Sequence, residues 1–477
     1  MNPNKSVFRR RHLLIVCHIS IALAMSLASC GIFGGCPSDP ARFQVKFTSD
    51  DAAIIADAAR SKPAKKPAPK PQTGDIIVFG GATKFAKTIS NVAFYDPNTQ
   101  KWTSTTPLPQ AGAGVYATEL NVTPLAGQIL VGEDVTGKVS RAGKKTSKLN
   151  ITVLPDNAEI FNPSAASFTS VGKLLAPRTG YTQTLLPNGK VLIAGGIDAS
   201  IAPTIKAELF DPSTSTFTAT GDMNTPRALH TATLLGDGTV LIAGGLTDTA
   251  NDTSDTAEIY DPSTGKFTEL SATIPIDGGV AGQTATAVSG CQCPIEGFVL
   301  LAGGYTTSGE IATSGNDAVL YDPVSQTFST PGQMTDFRVF HSATALPDGK
   351  VLIAGGIMGQ ALITNSSASG IFGGVLNSAE VFNPVSETFA CVNGSTSAGC
   401  NGSMVNSRAG QAAVLMTSGP LAGQVLLAGG AGARSATAKG RGSALKTAEL
   451  YNQTANKFTP TGSMKSARVG FAAALLQ

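Results

Sequence analysis

Short, uninterrupted apolar runs recur along this chain, each closing on a pair of glycines. Val191 to Ala194 runs into Gly195-Gly196, Val240 to Ala243 into Gly244-Gly245, and Val299 to Ala302 into Gly303-Gly304. Further copies end at Gly355-Gly356 and Gly429-Gly430, and Asp75 to Phe79 leads into Gly80-Gly81. Four or five aliphatic residues without a polar interruption predict a strand buried on both faces. The glycines permit positive φ and close approach of a neighbouring backbone. One copy departs, with Gly132-Glu133 in place of the glycine pair.

Downstream of each run two aromatic residues stand seven positions apart: Tyr95/Trp102, Phe161/Phe168, Phe210/Phe217, Tyr260/Phe267, Tyr321/Phe328, Phe382/Phe389 and Tyr451/Phe458. Most pairs enclose an Asx-Pro turn, which reverses the chain between two strands. Upstream lies another run, such as HTATLL, joined to the glycine strand by GDG or PDG. Each unit therefore predicts four antiparallel strands, and a sheet that small cannot cover both of its faces alone. Radial stacking solves this, so the expected fold is all-β, a seven-bladed β-propeller over residues 75–477. The first unit lacks a strand before its glycine run, and Val469 to Leu476 matches the missing piece. The C-terminal strand is expected to join blade one and leave no free edge.

These units resemble the kelch repeat: Gly-Gly after an apolar strand, then an aromatic, then an aromatic where kelch usually has Trp. Only Trp102 keeps the Trp, and the likeness covers about 400 of the 477 residues. It implies the propeller and says little about function.

The amino terminus suggests export. Lys5, Arg9, Arg10 and Arg11 form a basic stretch, an apolar segment follows from Leu13, and Leu27-Ala28-Ser29 precedes Cys30. This resembles a bacterial lipoprotein signal, which implies cleavage after residue 29, diacylation of Cys30 and anchoring in the cell envelope, with Gly31 favouring the outer membrane. Arg10-Arg11 also fits a twin-arginine export core. Residues 30–74 then form a lipid-anchored segment whose RSKPAKKPAPKP stretch is an extended spacer. The whole chain carries +3, whereas the signal contributes four basic residues and residues 31–74 a net +3, which leaves about −4 on the propeller and speaks against nucleic acid as a partner. A monomer bound to the membrane only through its lipid is expected.

Of the seven cysteines, Cys391 and Cys400 bracket a Gly/Asn/Ser-rich step and are expected to be bonded, as befits an oxidising compartment. Cys291 and Cys293 are a second candidate pair; metal ligation is the alternative there, without a visible partner set. No cofactor or metal is expected. Asp248, Asp252 and Asp255 read as a solvated loop.

Candidate ligand-binding residues recur at the start of the blades: Arg178, Arg227, Arg338 and Arg408, with Arg468 in the tail, and His230 and His341 three positions after two of them. Such a ring could hold a carboxylate or sugar acid. The competing reading pairs each Arg with Glu208, Glu258, Glu380 or Glu449. The unit that has Val319 in the Glu position also lacks the Arg, which favours ion pairs. The kelch likeness further implies two enzymatic possibilities. One is a galactose oxidase-like copper enzyme, for which His230 and His341 are too few ligands; the other is a sialic acid isomerase using Arg, His and Glu. The favoured reading is a binding platform without catalysis, its protein or carbohydrate partner meeting the face where loop length varies. That face carries the insertions 133–155, 357–377 and 431–446, read as loops.

Overall fold

The computed structural model describes residues 67–477, apart from 85–86, 142–146, 154–155, 201, 249–251, 309–310, 365–366, 395–398, 401 and 434–442. The expected signal, Cys30 and most of the spacer lie outside the described residues.

Seven four-stranded antiparallel sheets surround one axis. Blade 4 shows the plan: from the axis outward run Thr231–Leu234, Val240–Ala243, Ala257–Asp261 and Lys266–Glu269. The glycine strand is buried along its whole length in every blade with a four-residue apolar run, because a neighbouring blade covers each face. Between blades 3 and 4, for instance, Leu192, Ala194 and Phe210 interdigitate with Val240, Ile242 and Tyr260. The innermost strands carry small residues, as in Thr284–Ala287 and Ser342–Ala345, since each wedge narrows toward the axis.

The seven-residue aromatic spacing has a simple geometric cause. Tyr260 and Phe267 are cross-strand partners on the two outer strands, and their rings lie 4.7 Å apart. All seven blades repeat the contact at 4.7 to 5.3 Å. Each pair contributes about 0.5–1.5 kcal/mol beyond its burial. The intervening turn is set by its Asx residue: Asp261 Oδ1 accepts the Ser263 N–H, and Gly265 N–H returns to the Asp261 carbonyl.

Blades are sewn together at the glycine pair. Gly245 has φ +98° and donates its N–H to Val280 O of the next blade, and a Cβ on it would meet Ala228 O at 2.8 Å. Equivalent bonds run from Gly196 to Arg227 O, Gly304 to Arg338 O, Gly356 to Arg408 O, Gly430 to Arg468 O and Gly81 to Gly112 O. The ring closes as expected. Ala472–Leu475 is the innermost strand of blade 1 and pairs with Ile76–Phe79 in the register Ile76↔Leu475 to Phe79↔Ala472.

Two of the insertions read as loops are instead hairpins. In blade 2, Ile129–Arg141 runs past the glycine position and pairs with Ser147–Val153. In blade 6, Ile357–Thr364 pairs with Ser367–Val375, and a hairpin of blade 5, Tyr305–Ser308 with Ile311–Ser314, joins its edge through Ile311↔Leu362 and Ala312↔Ala361. This four-stranded crest bridges blades 5 and 6. Alternating small and apolar residues let both segments act as strands once a partner edge is available.

Candidate binding face

The glycine pairs, the connections between blades and the crest share one end of the propeller, the loop face. The chain approaches each innermost strand there through a connection that carries the recurrent Arg in five of the seven blades. In blade 4, Arg227 Nε donates to Glu258 Oε1 at 3.0 Å, and Nη1 donates to the carbonyls of Gly244 (2.8 Å) and Thr256 (3.0 Å). Glu258 also accepts the N–H groups of Asn224 (2.6 Å) and Thr225 (3.1 Å). Corresponding pairs are Arg178–Glu208 at 3.0 Å, Arg338–Glu380 at 2.7 Å and Arg408–Glu449 at 2.5 Å. All eight side chains are at most 2% exposed. Each guanidinium thus clips the connection, the glycine strand and the third strand of its blade together. The four arginines considered as ligand contacts are enclosed within the blades.

The two histidines are wedges between blades. His230 Nε2 lies 3.1 Å from Thr182 Oγ1 and His341 Nε2 lies 2.9 Å from Thr284 Oγ1, each on the preceding blade. Burial, followed by the nearby Arg227 or Arg338, pushes both imidazoles down to about 3, so they are neutral. The same position in blades 5 and 7 is occupied by Gln283 and Gln411, which donate to Ala243 O (2.9 Å) and Ala354 O (2.7 Å).

Around the axis the loop face is apolar. Leu246, Ala281, Tyr305, Val339, Ile357, Ala409, Ala431 and Val469 form one belt with Ala82 and Ala113. Leu229 and Phe340 pack against it with φ values of +55° and +58°, at a position where other blades have Gly180, Gly282, Gly410 and Gly470. Bulky residues in this region cost about 1–2 kcal/mol each. Sequence reading passed over them; the signal was the replacement of the glycine two places after Arg.

Blade 2 breaks the pattern. Its register places Glu159 opposite Val131 as Glu258 stands opposite Ile242, so the carboxylate of the ion pair is retained. Gly112 stands where the arginine belongs, its carbonyl accepting from Gly81 as Arg227 O accepts from Gly196. Glu133 replaces the first glycine, and its carboxylate lies over Gly112, with Cδ 2.2 Å from where a Cβ would be. Desolvation, then the nearby Glu159, pushes Glu133 up to about 8; desolvation also raises Glu159. Blade 1 has the reverse loss. Arg468 is 1% exposed and faces Ala93; its Nη1 donates to the carbonyls of Gly80 (3.0 Å) and Asn91 (3.1 Å), while its guanidinium lies 5.7 Å from the Phe471 ring centre.

Disulfides join Cys391 to Cys400 and Cys291 to Cys293. The first clamps the connection into blade 7 over the Arg338–Glu380 pair, with Cys400 N–H donating to Asp336 Oδ2 at 3.3 Å. Asp336, Glu380 and Cys400 cluster tightly enough to suggest a metal, but the sulfur is bonded and both carboxylates face Arg338. Exposed apolar side chains occur at both ends of the blades: Leu175 (57%), Ile311 (42%), Phe337 (46%), Met358 (37%) and Val405 (63%) on the loop face, and Leu234 (38%), Val324 (91%) and Val385 (72%) on the other.

No curated protein matches the chain in sequence. Among solved structures, the chain is similar to YjhT, at 14% identity with 68% of this chain and 98% of that chain covered, TM-score 0.44. It is also similar to a fungal alcohol oxidase of the AA5 family in complex with copper, at 15% identity with 74% and 68% covered, TM-score 0.46. The kelch motif family matches residues 227–272, which run from Arg227 through the whole of blade 4. With six further blades repeating that strand order and aromatic spacing, the chain is a seven-bladed β-propeller that carries a kelch motif in blade 4.

Proposed function

We propose that this propeller is an interaction platform of the cell envelope that docks a protein or carbohydrate partner on its loop face and performs no chemistry of its own. The observation that carries the reading is the placement of the polar candidates. Arg178, Arg227, Arg338 and Arg408 are held in internal ion pairs, and His230 and His341 are neutral wedges. What the loop face offers outward is the crest with Ile311 and Met358, together with Phe337 and Val405 on the connections into blades 6 and 7. A raised crest with exposed apolar groups suits partner binding.

The tether belongs to the same proposal and rests on the basic, apolar and small-residue pattern before Cys30. Metabolic labelling with palmitate should mark the wild type and not Cys30→Ala. For the platform, both crest hairpins are replaced by short turns. Capture of the partner from envelope extract or on a glycan array should be lost while the melting temperature changes by only a few degrees. Turnover of a sugar that disappears in His230→Ala or His341→Ala would overturn the reading.

A further inference from the structure

Four blades bury a carboxylate against a guanidinium at one position, whereas blade 2 keeps the carboxylate, loses the arginine and gains a second carboxylate. We infer that the Glu133–Glu159 pocket of blade 2 is a binding site for an external cation of the guanidinium class. The inference is independent of the platform reading, since it concerns a different part of the loop face.

Three observations carry it. First, the sister pockets are templates: the same strands and register present Glu258 to Arg227, and Glu208, Glu380 and Glu449 to their arginines. Second, the usual compensation is missing. Glu258 receives two backbone N–H groups as well as the guanidinium, whereas among the described residues the carboxylates of Glu133 and Glu159 have no hydrogen-bond or ion-pair partner. Arg468, the one buried arginine without a carboxylate among the described residues, belongs to blade 1 and pairs with neither. Third, Gly112 leaves the space beside its Cα to the Glu133 carboxylate, so no side chain of this strand can fill it. Both glutamates keep some exposure to solvent, Glu159 more than Glu133. A planar guanidinium presents several N–H donors to two carboxylates at once.

The unoccupied pair retains a proton on Glu133 near neutrality, because burial and Glu159 raise it to about 8. Binding of a cation expels that proton, which gives the inference a thermodynamic signature. Titration calorimetry of the full-length protein with methylguanidinium in two buffers of different ionisation enthalpy should show one saturable site and release of nearly one proton at pH 7. Affinity should rise by up to roughly tenfold per pH unit between 6 and 8 and level off above. Glu133→Gln and Glu159→Gln should each weaken binding at least about tenfold, with Asp248→Asn unchanged. A blocked arginine amide serves as the second probe: binding of both assigns the site to an arginine side chain, binding of methylguanidinium alone to a small solute.

The double change Gly112→Arg with Glu133→Gly rebuilds the sister arrangement. It should raise the melting temperature and abolish methylguanidinium binding. Absence of saturable binding in the wild type overturns the inference, as do equal binding of calcium or tetramethylammonium, and binding that survives the double change.

Discussion

Blades 4 and 2 are built from the same strands in the same register, yet they treat one position oppositely. In blade 4 a guanidinium fully removed from water is matched by Glu258, two carbonyls and two backbone N–H groups on its partner. In blade 2 Glu133 and Glu159 lie near each other with no cationic partner among the described residues, and burial, then that neighbour, raises Glu133 to about 8. The repeat therefore fixes backbone geometry without fixing charge. A site can appear where a structural pair has been taken apart. Blade 1 makes the complementary point, because Arg468 is buried without any carboxylate among the described residues, its Nη1 held by two carbonyls and its guanidinium near an aromatic ring while Nε has no partner.

The largest effect expected is from deleting residues 468–477, which removes the innermost strand of blade 1 and bares the edge of Ile76–Phe79. Cooperative unfolding, followed by circular dichroism in denaturant, should be lost, whereas Arg468→Met in the intact chain should cost no more than about 1 kcal/mol, because it orphans no acid. Next comes Arg227→Met. It leaves Glu258 buried without its cation and should cost about 3–5 kcal/mol in urea unfolding, with much of the loss restored by adding Glu258→Leu. If the single change is as mild as Arg468→Met, blades 4 and 1 do not differ in the way described.

The third test is the pH dependence of blade 2. Glu133 binds a proton in the native state between its unfolded value near 4.5 and about 8, so its contribution to stability falls as pH rises through that window. The slope is at most about 1.4 kcal/mol per pH unit and should vanish in Glu133→Gln, as read from unfolding free energies at pH 5 to 9. His230 supplies the smallest and oppositely signed effect. With its native value near 3, the unfolded chain takes up the proton first, so stability falls as pH drops below about 6.5. His230→Gln, the residue type found in blades 5 and 7, should flatten that acid limb and change little at pH 8.

The blades were legible in the sequence because their signals are local and repeated. The Tyr260/Phe267 spacing encodes a cross-strand pair, and the glycine pairs encode close contacts between blades. The ion pairs were legible through the joint absence of both partners in blade 5. The crest was not, because strands such as Ile357–Thr364 need an edge supplied by another blade, and nothing within the segment names that edge. The Glu133 pocket left two separate traces, a missing glycine and a Glu without Arg. Only the register shows that they concern the same few ångströms.

The strand Ile76–Phe79 is not at an edge: Ala472–Leu475 lies on one side and Val92–Asp96 on the other. The chain reaching it is pinned as well, with Thr105 Oγ1 donating to Pro69 O at 2.6 Å and Gly74 N–H to Leu476 O at 2.7 Å. Tension drawn along the amino-terminal segment would run parallel to this strand and load both ladders in shear, so their bonds resist together instead of unzipping in turn. The strand at which the amino-terminal segment enters is thereby placed to resist such a pull along its whole length.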